Sequence, residues 1–288
     1  MKKTSASLRS MQLSDIENAM NLSNAEGWNQ TEKDWKLLIE NPQNTCLIAK
    51  IDNKAIGTTT AINYSNEVAW IGMVLVDKEY RGLGISKLLL ENILKKLESC
   101  KSIKLDATPA GQQVYKKFGF KDEYIITRMT NSSRKSLLIN EIENIIPEPI
   151  QSKNINEITA LDEFVFGANR MQLIEYLIKE YPHKAWLLKH ENKITGFVLG
   201  RDGNIYHHVG PVIASTITDA KILISKALRE LNNQRVVMDV LNDKQELLNW
   251  LHSTGFTRQR EFVRMYKKEN LFPGMIDKLH LICGPEFG

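Results

Sequence analysis

Residues Ala69 to Leu97 read AWIGMVLVDKEYRGLGISKLLLENILKKL, three pieces with three different rhythms. Ala69 to Val76 is an unbroken apolar run, short enough for a strand buried on both faces. The last piece places Ile85, Leu89, Ile93 and Leu97 at helical spacing, which predicts a helix with one apolar stripe. Between them lie Arg81, Gly82 and Gly84. A strand that turns through glycines into a helix start leaves backbone N–H groups pointing outward at the positive end of the helix dipole, a site suited to phosphate. Glycines also serve plain tight turns, so these residues alone leave both readings open.

Working outward, 288 residues are long for one domain and fit two of ordinary size. The apolar content of 42% and charged content of 25% are those of a globular protein. Net charge is +4 from 38 basic and 34 acidic residues, too balanced to argue for nucleic acid or an anionic membrane as partner. Cys46, Cys100 and Cys283 are scattered and without metal spacing, which predicts reduced thiols and no metal. The opening MKKTSASLRS has no apolar core behind it, and no apolar run reaches membrane-spanning length. A cytoplasmic protein, monomer or homodimer, is expected.

Leu8 to Met20 predicts a short strand and then a helix capped by Ser14. Thr31 and Asp34 have capping-box spacing for a second helix. In the turn between the helices stand Trp28 and Asn29, which either cover the core edge or line a pocket. Asp52-Asn53 predicts a hairpin between two strands. Ile103 to Asp106 reads as a further strand, Thr108-Pro109 as a helix start, and Gly119 as that helix's end. Pro147 and Pro149 interrupt NEIENIIPEPIQ, so the chain divides into a domain at 1–143, a linker at 144–152 and a domain at 153–288.

The second half repeats the first. Lys50, Asn53, Lys54 and Gly57 recur at one constant offset as Lys189, Asn192, Lys193 and Gly196. Gly119-Phe120 with Arg128-Met129 recurs as Gly255-Phe256 with Arg264-Met265. Two sets in the same order indicate a duplicated module. The copy lacks the arginine–glycine loop: no glycine occurs from Pro211 to Thr254, and Leu251 stands where the first half has Tyr115. It is expected to be a degenerate scaffold, or one wall of the first module's site. His207 and His208 are adjacent on a strand, face opposite ways and cannot easily share one metal ion.

Arg81-x-x-Gly84-x-Ser86 after a strand ending at Val76 resembles the acetyl-CoA loop of the GNAT N-acetyltransferase superfamily, with Ser86 at a position where that family has Gly or Ala. GWN at 27–29 and LDATPAGQQVYKKFGF at 105–120 add to the likeness. LDEFVFGANR at 161–170 and ICGPEFG at 282–288 resemble a C-terminal acetyltransferase-like domain fused behind a GNAT domain in bacterial proteins. The resemblance implies an α/β fold of tandem GNAT-like domains, each a mixed, mostly antiparallel sheet flanked by helices. It also implies direct acetyl transfer from acetyl-CoA to an amine, without a metal. Leu75 and Val76 would pair with the pantetheine arm and help to hold the oxyanion. Leu83 to Ser86, through Gly84 and Ile85, would bind pyrophosphate with Arg81 and Gly82. Thr108 and Gly111 would border the cofactor, and Tyr115 would protonate the leaving thiolate. Trp28, Asn29 and Asp106 would face the acceptor. Asp106 and Glu67 are candidate bases, each also readable as a solvated loop carboxylate. The acceptor is read as a small amine or amino-acid-like metabolite. The alternatives are a protein lysine or N-terminus, and an acyl-CoA sensor without turnover.

Overall fold

The computed structural model describes residues 6–131 and 146–288. The first half runs β1 (Ser7–Ser10), α1 (Ile16–Ala25), α2 (Glu32–Glu40), β2 (Thr45–Ile51), β3 (Lys54–Tyr64), β4 (Val68–Val76), α3 (Ile85–Lys96), β5 (Ser102–Ala107), α4 (Pro109–Lys117) and β6 (Lys121–Thr130). The second half follows the same order: β7 (Glu148–Pro149), α5 (Ile155–Phe166), α6 (Met171–Glu180), β8 (Trp186–His190), β9 (Lys193–Arg201), β10 (His207–Ala214), α7 (Ile217–Glu230), β11 (Val236–Leu241), α8 (Gln245–Ser253), β12 (Thr257–Lys268) and a short β13 (Leu279–Leu281). Residues 132–143, the expected end of the first domain, and 144–145 of the expected linker lie outside the described residues. The described part of that linker contributes β7 to the sheet edge beside β8.

Local chemistry explains most of these elements. Asp52 and Asn53 take φ of +47° and +67°, the geometry a two-residue hairpin needs, and Glu191 and Asn192 do the same between β8 and β9. The first repeated motif is therefore a turn. Thr31 and Asp34 cap α2 reciprocally, the Thr31 N–H donating to Asp34 at 2.7 Å. Ser14 does not cap α1. It lies in a short 3-10 turn, Leu13–Asp15, in which the Asp15 carboxylate accepts from the Gln12 N–H at 2.9 Å while Arg9 grips it at 2.7 Å. Ile85, Leu89, Ile93 and Leu97 are all buried, as the helical stripe requires.

Among the described residues the strands form one mixed sheet in the order β1-β2-β3-β4-β5-β12-β6-β11-β13-β10-β9-β8-β7. Only β4–β5 and β10–β11 are parallel. The halves exchange their last strands: β12 pairs with β5, β6 pairs with β11, and β6 and β12 pair with each other. One sheet face packs α1, α2, α5 and α6 into a core shared by both halves, with Trp35, Leu38, Leu173 and Leu177 in it. The other face carries two separate cores, under α3 in the first half and under α7 and α8 in the second. No described helix is long and apolar enough to cross a membrane.

The exchange gives the second repeated motif its meaning. Arg128 on β6 lies directly opposite Asp239 on β11 and binds it twice, at 2.7 and 2.8 Å. Arg264 on β12 lies opposite Asp106 on β5 and binds it twice at 2.9 Å. Both pairs are buried, and each joins one half to the other. Despite its burial, the Asp106 carboxylate holds Arg264 firmly charged. Removing one member of such a pair leaves a buried charge unanswered. Asp239→Asn is expected to lower unfolding free energy by about 3–5 kcal/mol in urea titrations, and Asp106→Asn by a similar amount. A loss under about 1 kcal/mol at both positions would mean that the pairs do not hold the halves together.

Candidate active site

The parallel pair β4–β5 is joined only from Val68↔Ser102 to Trp70↔Lys104, although both strands run on. The cause lies in β4. Met73 takes φ of +52°, where a bulky residue is strained, and the register with β3 slips between Thr58 and Thr60. The Thr58 hydroxyl fixes this bulge by donating to the Met73 carbonyl at 2.9 Å. Beyond it the strands part, and the edge of β4 from Ile71 to Val76 faces a cleft of about 640 Å³. Leu75 and Val76 line that cleft.

At one end of the cleft, Arg81, Gly82, Gly84 and Ser86 lead into α3. Gly82 and Gly84 both have φ of +78°, and a Cβ on either would meet nothing within 4 Å. Glycine is needed there for backbone direction rather than for close packing. Gly84 is the N-cap of α3 and supplies no side-chain hydrogen bond, so the first-turn N–H groups keep no side-chain partner from the cap. Ile85 anchors the helix start in the core beneath. Leu83 is 65% exposed and its side chain does not line the cleft, so only its backbone belongs to the loop. Arg81 is hydrogen-bonded to Glu26, at the end of α1.

Thr108 caps α4, its hydroxyl accepting from the Gly111 N–H at 3.2 Å, and both residues line the cleft. A Cβ on Gly111 would come within 3.0 Å of the Tyr115 ring. The small residue thus makes room for the tyrosine itself. The Tyr115 ring packs edge-on against Phe120 at 5.9 Å. Burial pushes its phenol well above the ordinary tyrosine range, so it stays protonated. It too borders the cleft.

The acceptor-side expectations fare unevenly. Trp28 lines the cleft. Asn29 does not: its side chain accepts from the Ile205 and Tyr206 N–H groups at 3.0 and 2.8 Å and donates to the Tyr206 carbonyl at 3.0 Å. It is a clasp between the halves, with its hydrogen-bonding groups in use. Asp106 borders the cleft, but Arg264 occupies both of its carboxylate oxygens. Glu67 lies before β4, at the far end from the glycine loop, 3.7 Å from Lys101. Sequence reasoning missed the residues that complete the wall: Gln30 after α1, Arg128 on β6, Arg260 and Phe262 on β12, and Pro285 and Glu286 near the end of the chain. The only sequence signal for the last pair was ICGPEFG. Gly72 explains why that segment reaches β4, since a Cβ there would meet the Glu286 Cα at 3.1 Å.

The corresponding place in the second half is filled. There β10 and β11 pair only at His207↔Val236 and His208↔Val237, and β13 then inserts between them, with Leu281 opposite both Val212 and Val240. Helix α7 begins under its own cap, the Thr216 hydroxyl accepting from the Asp219 N–H at 3.1 Å. Leu251 is fully buried. His207 meets Asp202 and His208 meets Asp239, on opposite faces of β10. Among the described residues no group of three or more His, Cys, Asp or Glu is placed to hold a metal ion.

A family model described as Acetyltransferase (GNAT) family matches residues 12–120, and a second, described as Acetyltransferase (GNAT) domain, matches residues 158–281. The chain is 22% identical over 266 residues to the Holothin acyltransferase of Pseudoalteromonas sp. (strain SANK 73390), covering 92% of this chain and 88% of that one. It is 25% identical over 195 residues to the Uncharacterized N-acetyltransferase YitH of Bacillus subtilis (strain 168), covering 66% and 67%. Among solved structures, a Pyrococcus horikoshii protein assigned as an acetyltransferase superimposes with a TM-score of 0.81 at 22% identity, covering 100% of this chain and 98% of the other. The GCN5-related N-acetyltransferase of Sphaerobacter thermophilus gives 0.66 at 13% identity, covering 91% and 95%.

Gly84→Ala places a Cβ at a φ that L residues rarely adopt and is expected to cost about 1–2 kcal/mol of stability. Thermal melts of this variant beside Ser86→Ala, expected within about 0.5 kcal/mol of the parent, check it.

Proposed function

The chain belongs to the GNAT acetyltransferase family, with two such domains in tandem, and from that premise we propose that its first domain moves an acetyl group from acetyl-CoA to the primary amine of a small metabolite. Such proteins are acyl-CoA N-acyltransferases acting on amine acceptors. The observation that carries the finer reading is the parting of β4 from β5, which leaves a strand edge and an uncapped helix start along one cleft.

The residues present suit the co-substrate. Backbone N–H groups from Leu83 to Ser86 take the pyrophosphate at the positive end of α3, with Arg81 adding charge on leaving Glu26. Leu75 and Val76 accept the pantetheine amides as an added strand. Acetyl-CoA supplies the thioester carbon that the neutral amine attacks. The N–H groups of the β4 edge hold the developing oxyanion, an interaction worth roughly 3–4 kcal/mol. Tyr115, kept protonated by burial, gives its proton to the departing thiolate. The second domain, its own gap filled by β13, walls the acceptor side through β12. That wall supports a small acceptor over a polypeptide.

Thiol release from acetyl-CoA over an amine panel tests the reading. Tyr115→Phe is expected to lower kcat by about 10²–10⁴-fold while CoA affinity, measured by calorimetry, stays within about twofold. Because the phenol is shifted upward, the alkaline loss of activity that its ionisation causes is expected only above the ordinary tyrosine value of about 10. Acetyl-CoA binding with no turnover on any amine would favour a sensor. Failure to bind CoA would remove both readings.

A further inference from the structure

The two halves correspond in position through β6 and β12, and one of the positions at which their residues differ changes the charge of a wall. Tyr124, Ile126 and Arg128 on β6 correspond to Arg260, Phe262 and Arg264 on β12, at the offset that relates Gly119 to Gly255. On one side of this pseudo-symmetry, Arg264 lies opposite Tyr124 and donates to its hydroxyl at 2.5 Å, stacked on Trp70 at 4.5 Å. The space around that set is only about 10 Å³. On the other side, Arg128 lies opposite Arg260, and both line the large cleft together with Phe262.

Two guanidinium groups directly opposite on paired strands repel each other. Asp239 answers the charge of Arg128. Among the described residues, no carboxylate lies within 4 Å of Arg260. Burial and the neighbouring Arg128 both press its charge downward. Nearby, Gln30 Oε1 and Glu286 Oε2 are buried without a hydrogen-bond partner among the described residues, the other Glu286 oxygen accepting from Arg201, and both residues line the same cleft. Orphan acceptor oxygens and an orphan cation in one cavity are the complement of a molecule bearing both an amine and an anion.

We propose that the acceptor carries an anionic group, carboxylate or phosphonate, beside its amine: Arg260 takes the anion, and Gln30 and Glu286 meet the amine end. This rests on the transferase reading and assigns its substrate class. Arg260 acts by binding, and the transfer itself leaves the anion unchanged.

The test uses the full chain with CoA bound and matched ligand sets: an α-amino acid, its decarboxylated amine, and the aminophosphonate of the same side chain. Calorimetry is expected to give the anionic members about 10- to 100-fold tighter binding than the bare amine. Arg260→Gln is expected to remove that margin while leaving the bare amine within about twofold. Arg260→Tyr, which installs the arrangement of the other half, is expected to do the same with the melting temperature retained. Relative affinities of the amino acid and the aminophosphonate decide which anion the site takes. Equal binding of anionic and bare members, no binding by any anionic member, or a margin that survives both substitutions would each overturn the proposal. Thiol release with the same ligands is read separately. Selective binding without turnover would sink the transferase reading and leave the anion site standing; turnover that ignores the anion would do the reverse.

Discussion

A buried arginine on each exchanged strand, bound twice by an aspartate of the opposite half, is the interaction on which the rest depends. Arg128–Asp239 and Arg264–Asp106 sit in direct register across β6–β11 and β12–β5. Four desolvated charges are tolerable only in that register, because a one-residue slip would turn each arginine to the other face of the sheet. The pairs therefore fix how the halves meet. They also set where Phe262 and Arg260 stand along the cleft.

The second governing feature is a backbone problem with two solutions. A parallel strand pair that splays leaves N–H and C=O groups that need partners. In the second half the chain supplies its own partner, β13, and the gap becomes core. In the first half the bulge at Met73 opens the same gap, and among the described residues no strand runs along it. After β13 the chain continues across to β4, where Trp70 donates to the Pro285 carbonyl at 2.9 Å and Gly72 admits Glu286. One terminal segment thus closes one cleft and floors the other.

Duplication also explains the chemistry of the walls. Corresponding positions of a repeat start from the same surroundings, so the places where they differ mark what each half has to do. Tyr124 completes a packed cluster around Arg264, whereas Arg260 leaves a cation beside an open cleft. Leu251 is core where Tyr115 borders the cleft.

The sequence by itself determined what is local. It gave away the hairpin at Asp52-Asn53, the cap at Thr31, the helix start at Thr108-Pro109, the glycine turn into α3 and the duplication, because periodicity, caps and positive φ are written in neighbouring residues. Its resemblance to the GNAT superfamily pointed to Tyr115 and to the loop from Arg81 to Ser86, and the structure brings Tyr115, Arg81, Gly82, Gly84 and Ser86 to one cleft. Only the tertiary structure decided the partners of Asp106 and Asn29 and the surroundings of Arg260. Asp106 read as a free carboxylate because Arg264 stands far along the chain on an exchanged strand. Two repeats with the same alternation offer β6 and β12 equally good edges in either half. Which edge each takes is settled by long-range hydrogen bonding and by buried charge, and neither leaves a local trace.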